Sequence, residues 1–118
     1  MDIEQFRTYC LSKPATSEHF PFDEVTLCLK VAGKIFAITG LDNEVFKVNL
    51  KCDPEYALEL REHHEEIQAG WHMNKKMWNT VDFTGNLSGK LLRDLIDHSY
   101  NQVVKGLKKS ERAALEGK

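Results

Sequence analysis

Between Trp71 and Val81 the sequence reads Trp-His-Met-Asn-Lys-Lys-Met-Trp-Asn-Thr-Val. Two indoles, two adjacent lysines, a histidine and two amides fall in this short run, and no acid interrupts it. Lysines neutralise phosphates, amides position a backbone, and an aromatic face stacks on a splayed base. The same residues also have a structural reading. Trp71 and Trp78 can serve as core or hairpin residues, Asn74 and Asn79 can tie off turn backbone, and Lys75 and Lys76 can be solvated loop charges.

Other constellations carry less chemistry. His63-His64 and Glu65-Glu66, with His72 and Cys52, suggest a metal site. Adjacent helical residues point about 100° apart, however, so His63 and His64 do not converge on one ion. No HExxH and no Cys/His ligand spacing is present, and no metal or cofactor is expected. Cys28 and Cys52 have no neighbouring base, Ser99 lies beside His98 without a nucleophile-elbow pattern, and no Gly-rich phosphate loop occurs. The sequence therefore predicts a binding protein and not an enzyme.

Composition limits the partners. The chain has 118 residues, with 16 basic and 18 acidic side chains for a net charge of −2. Nucleic-acid binding would need a local basic patch, because bulk charge does not favour it. Hydrophobic residues at 42% and charged residues at 29% are ordinary for a globular domain. Cys10, Cys28 and Cys52 are odd in number and form no CxxC, so no disulfide framework is expected and a reducing cytoplasm fits. The opening Met1-Asp2-Ile3-Glu4 has no basic n-region, and no apolar run reaches membrane-spanning length.

The elements that must position the 71–81 run follow from periodicity. Asp2 caps a first helix, with Gln5 completing a capping box, and Pro14 stops it. The segment from Glu18 to Phe22 reads as a loop with apolar anchors. Val25, Leu27, Leu29 and Val31 alternate as a strand, Gly33-Lys34 suits a type II′ turn, and Ile35–Thr39 returns as a second strand. A third strand places Phe46, Val48 and Leu50 on one face and Lys47, Asn49 and Lys51 on the other. Asp53-Pro54 opens a second helix, in a stretch from 53 to 66 with six acids and one Arg. Residues 67–73 and 78–83 read as fourth and fifth strands, with Trp78, Thr80 and Asp82 on one side. Ser88 caps a long third helix whose core stripe is Leu92, Leu95, Ile96, Ser99 and Val103. The end, carrying five basic residues from Lys105 to Lys118, reads as frayed after Gly106.

The sum is an α+β two-layer sandwich in the order α-β-β-β-α-β-β-α. Its sheet is mostly antiparallel and five-stranded, helices cover one face, and the other face is open. One domain spans 1–107, followed by a basic tail, 108–118.

The sequence resembles the MmcQ/YjbR-like family. The marks are His72 to Lys75 followed by Trp78 to Val81, together with Phe20-Pro21-Phe22, the run from Val48 to Pro54, and the segment from Leu95 to Tyr100. Met77 departs from many members, which have His there. The resemblance implies a CyaY-like (frataxin-like), double-wing fold and DNA binding by analogy. It also leaves iron binding on the acidic second helix as a lesser expectation, against a solvated acidic face. The resulting expectation is a cytoplasmic nucleic-acid-binding protein. Its open sheet face presents Lys47, Asn49, Lys51, His72, Asn74, Lys75, Lys76, Trp78 and Asn79. The alternative is a protein-interaction or chaperone-like adaptor using the same face.

Overall fold

The Asp2 carboxylate accepts from the Gln5 amide at 2.8 Å, and the Gln5 side chain accepts from the Asp2 amide at 3.0 Å. This closed capping box starts α1, Ile3–Leu11. The computed structural model describes residues 1–70 and 73–116. Within them follow β1 (Thr16–His19), β2 (Thr26–Val31), β3 (Lys34–Gly40) and β4 (Lys47–Lys51). Next come α2 (Pro54–His63), β5 (Ile67–Ala69), β6 (Trp78–Asp82), α3 (Gly89–Lys105) and α4 (Lys109–Glu116). Asp53 and Ser88 cap α2 and α3 through bonds from Tyr56 N and Leu91 N.

The architecture is α+β, with one antiparallel six-stranded sheet in the order β1-β2-β3-β4-β6-β5. The strand expected as fourth is shorter than 67–73 among the described residues, ending at Ala69. The strand that the sequence concealed is β1. Thr16-Ser17-Glu18-His19 has no apolar alternation. As an edge strand it is held by backbone pairing to β2 and by Glu18, which forms a bidentate ion pair with Arg7 of α1. Where a frayed tail was expected, α4 forms instead. Glu111 accepts from Lys108 N at 2.9 Å, and Leu115 packs against the core.

The inner face carries Leu27, Leu29, Val31, Ala37, Val48, Leu50, Ile67 and Val81, all buried. α3 lies over β2, β3 and β4, α2 against β5, and α1 against β1. The whole expected α3 stripe is buried, including the polar Ser99. A bulge in β3 explains that hydroxyl. The register slips between Leu29 and Lys30, leaving Phe36 as the extra residue. Ser99 Oγ donates to Phe36 O and accepts from Lys51 N at 2.8 Å, bridging two backbone groups where the β3–β4 ladder ends. Phe36 itself meets Tyr100 edge-to-face at 5.5 Å.

The β2–β3 turn differs from the type II′ expectation. Its central residues are Ala32 and Gly33, with φ of 48° and 81°. Both are left-handed, as type I′ requires, because that turn matches the right-handed twist of the strands it joins. An alanine there carries a conformational cost of about 1–2 kcal/mol. Ala32→Asn should therefore raise stability by about 0.5–1 kcal/mol in denaturant titration. A loss instead would show that packing of the half-buried Ala32 methyl outweighs the backbone strain.

Candidate functional site

Pairing of β4 with β6 sets the site. Lys51 faces Trp78, Leu50 faces Asn79, Asn49 faces Thr80, Val48 faces Val81 and Lys47 faces Asp82. Side chains alternate across a strand, and Val48, Leu50 and Val81 are core. Lys51, Trp78, Asn49, Thr80, Lys47 and Asp82 consequently share the outer face. Further register links extend one outer row across all six strands: Gln68, Thr80, Asn49, Ile38, Cys28 and His19.

At one end of this face, Trp78 is half-buried beside Lys51. Gly70 makes room for it, since a Cβ at residue 70 would lie 2.8 Å from the Trp78 Cβ. Gly70 N donates to Trp78 O at 2.8 Å, extending the β5–β6 edge. Thr80 Oγ1 donates to Asn49 Oδ1 at 2.5 Å, which fixes that amide. The preceding turn is tied by Asn74, whose Oδ1 accepts from Lys76 N at 2.9 Å and whose carbonyl accepts from Met77 N at 3.1 Å. Met77 O then accepts from Cys52 N at 2.8 Å, docking the turn beside the end of β4.

Lys75 and Lys76 are exposed on this turn. Neither they nor Lys47 and Lys51 pair with a carboxylate among the described residues. Asn49, Lys51, Trp78 and the 74–76 turn thus come together. Lys47 stands about 13 Å along β4 from Lys51. Asn79 lies on the opposite, helix-covered face and is 2% exposed. His72 and Trp71 lie outside the described residues.

Asn79 instead meets α2. Its Oδ1 accepts from Arg61 Nε at 2.7 Å, and its Nδ2 donates to Ala57 O at 3.5 Å. The Arg61 fork also donates through Nη2 to Lys75 O and, at 3.4 Å, to Trp78 O. Sequence reading passed over Arg61. The available signal was its position as the one Arg in the acidic 53–66 stretch.

Elsewhere the chemistry is quiet. Among the described residues no group of three His, Cys, Asp or Glu is placed to hold a metal ion. Burial raises the thiol pKa of Cys10 and Cys52 to about 12 and moves that of Cys28 in the same direction, which keeps all three protonated at neutral pH. A cleft of about 620 Å³ lies beside the start of α1, lined by Ile3, Leu41, Phe46 and Phe83. Its one titratable side chain, Asp2, is engaged in capping α1. No helix among the described residues is long and apolar enough to cross a membrane.

Comparison with known proteins places these features in a family. The sequence model of the YjbR family matches residues 11–102. The chain is 37% identical to the uncharacterized protein YbdF of Escherichia coli O157:H7, over 92% of this chain and 89% of YbdF. It is 32% identical to the uncharacterized protein YjbR of Escherichia coli K12, over 98% of each. Among solved structures, Deinococcus radiodurans DR2400, with domain DUF419, aligns with a TM-score of 0.90 at 38% identity, covering 97% of this chain and 87% of that one. A Pseudomonas syringae protein aligns with a TM-score of 0.74 at 27% identity, covering 86% and 98%.

One titratable group sits where α3 meets the start of α2. His98 Nε2 accepts from Asp53 N at 3.1 Å, and its ring meets Tyr56 edge-on at 5.0 Å. Burial lowers its pKa from the ordinary 6.5, a nearby Asp53 carboxylate opposing. The folded state thus holds His98 neutral, whereas the unfolded chain takes up a proton near its ordinary pKa. This contribution is complete above pH 6.5 and is lost as pH falls below that value. Melting temperature should drop as pH falls below about 6.5, and His98→Gln should show a smaller drop over the same change.

Proposed function

The chain belongs to the YjbR family, and on that premise we propose that it binds nucleic acid through the outer face of its sheet, with unpaired bases stacking on Trp78. The observation that carries this reading is the pairing of Trp78 with Lys51 on a helix-free face, beside the exposed Lys75 and Lys76. An aromatic ring with a lysine beside it and two on the preceding turn, none paired with a carboxylate among the described residues, suits a strand whose bases are splayed and whose phosphates need neutralising.

Charge distribution supports the same side. Strand positions of the outer face carry Lys30, Lys47 and Lys51 against the single acid Asp82. The exposed acids Glu55, Glu59 and Glu62 belong to α2, in the helix layer. A chain of net charge −2 can in this way offer a locally basic surface.

A second reading, a protein-interaction adaptor, is favoured by a different observation. Leu41 N donates to Val25 O at 2.7 Å, joining two loops on which Phe20, Phe22, Val25, Leu41 and Val45 are all exposed. Exposed apolar groups on two joined loops suit a protein partner.

A salt titration with single- and double-stranded oligonucleotides tests the first reading. Lys75→Ala with Lys76→Ala should weaken binding and flatten the salt slope by up to about two units. Trp78→Ala should cost ~1–3 kcal/mol of affinity and leave the slope unchanged. Melting temperature is measured beside affinity. Lowered stability with unchanged affinity in the Trp78 variant would leave Trp78 as a structural residue and remove the stacking role.

A further inference from the structure

Among the described residues Arg61 is the α2 side chain that hydrogen-bonds to the turn before β6 and to β6 itself, and it does so through Nε and Nη2. Nε donates to the Asn79 amide oxygen at 2.7 Å, and Nη2 donates to the carbonyls of Lys75 and, at 3.4 Å, Trp78. These acceptors span residues 75–79 and are all neutral. A guanidinium in an acidic stretch would gain more from a carboxylate, because charge-assisted bonds are the stronger kind. Glu55, Glu59 and Glu62 share its helix, yet Arg61 pairs with no carboxylate among the described residues. The rigid fork matches several acceptors at fixed spacing, which a lysine ammonium does not.

Asn79 completes the arrangement. It is buried and turned away from the outer face, yet it is the neighbour of Trp78 and points at Arg61. Its amide nitrogen reaches Ala57 O one turn earlier on α2. The strand thereby sends one residue to the outer face and the next inward to the helix that holds it. The turn, closed by Asn74 and docked to the end of β4 by Cys52 N, is held from the helix side as well.

We propose that Arg61 and Asn79 act as a positioning pair that presents Lys75, Lys76 and Trp78 in binding geometry, a role that rests on the nucleic-acid reading above. Neither residue touches the ligand. Their effect is to remove the conformational freedom that the turn would otherwise lose on binding.

The test uses the full chain and a mixed-sequence single-stranded DNA of about ten nucleotides. Arg61→Lys keeps the charge and loses the fork; Arg61→Gln keeps one donor for Asn79 and loses the charge. Both are measured, so that a folding defect in one does not decide the result, and cooperative unfolding is checked for each. Amide exchange at Lys76 and Met77 should accelerate roughly tenfold or more, while core amides of β2 and β3 keep their rates. Affinity should fall roughly three- to tenfold with the salt slope unchanged, since the phosphate contacts themselves survive. Folded variants with wild-type exchange and wild-type affinity would overturn the positioning role while leaving the nucleic-acid reading intact. Wild-type protein that binds no oligonucleotide would overturn that reading and this inference with it.

Discussion

Pairing Lys51 with Trp78 and Leu50 with Asn79 commits the sheet to one distribution of side chains, because a slip of one residue would exchange its two faces. In the observed register Val48, Leu50 and Val81 meet the helices, and Trp78, Thr80 and Asn49 are left outside. A one-residue slip of β4 would bury Lys47 and Lys51 and expose the core aliphatics Val48 and Leu50. Each of those aliphatics is worth roughly 1.5–3 kcal/mol when buried, so hydrophobic burial alone fixes the pairing. The functional face is the remainder of that choice.

What hydrophobicity does not settle is the placement of the turn. That depends on polar groups enclosed at the seam between layers. Asn79 is buried with its amide satisfied by Arg61 and Ala57, and Ser99 bridges Phe36 and Lys51 where the β3 bulge interrupts the ladder. Leaving such a group unpaired costs about 1–3 kcal/mol, comparable to the ~1–3 kcal/mol of one base stacked on an aromatic ring. The seam is therefore as demanding energetically as the binding event assigned to the face above it. His98, kept neutral under the start of α2, belongs to the same seam and makes it sensitive to acid.

Periodicity made much of this legible in advance. The alternation through Phe46–Lys51 and the stripe from Leu92 to Val103 placed β4 and α3, and the capping residues Asp2, Asp53 and Ser88 placed three helix starts. The elements that escaped lack such a signal. β1 is polar and short and is held by an ion pair eleven residues distant in sequence; α4 carries little apolar surface beyond Leu115. The Ala32-Gly33 turn escaped because alanine is not a usual left-handed residue. Within the site, Trp78 and Asn49 were assigned to the outer face from alternation. Asn79 was grouped with them by chemical type, although the same alternation sends it inward. Arg61 was hidden because its partners are backbone carbonyls, which leave no mark in a sequence.

The most direct test of the outer face as the binding surface is a map of backbone amide chemical shifts during titration with a short single-stranded oligonucleotide. The expected result is a contiguous set of changes at Asn49, Lys51, Lys76, Trp78 and Thr80, with the exposed side of α2 unmoved. Changes confined to α2, or to the cleft between Ile3 and Phe83, would contradict it.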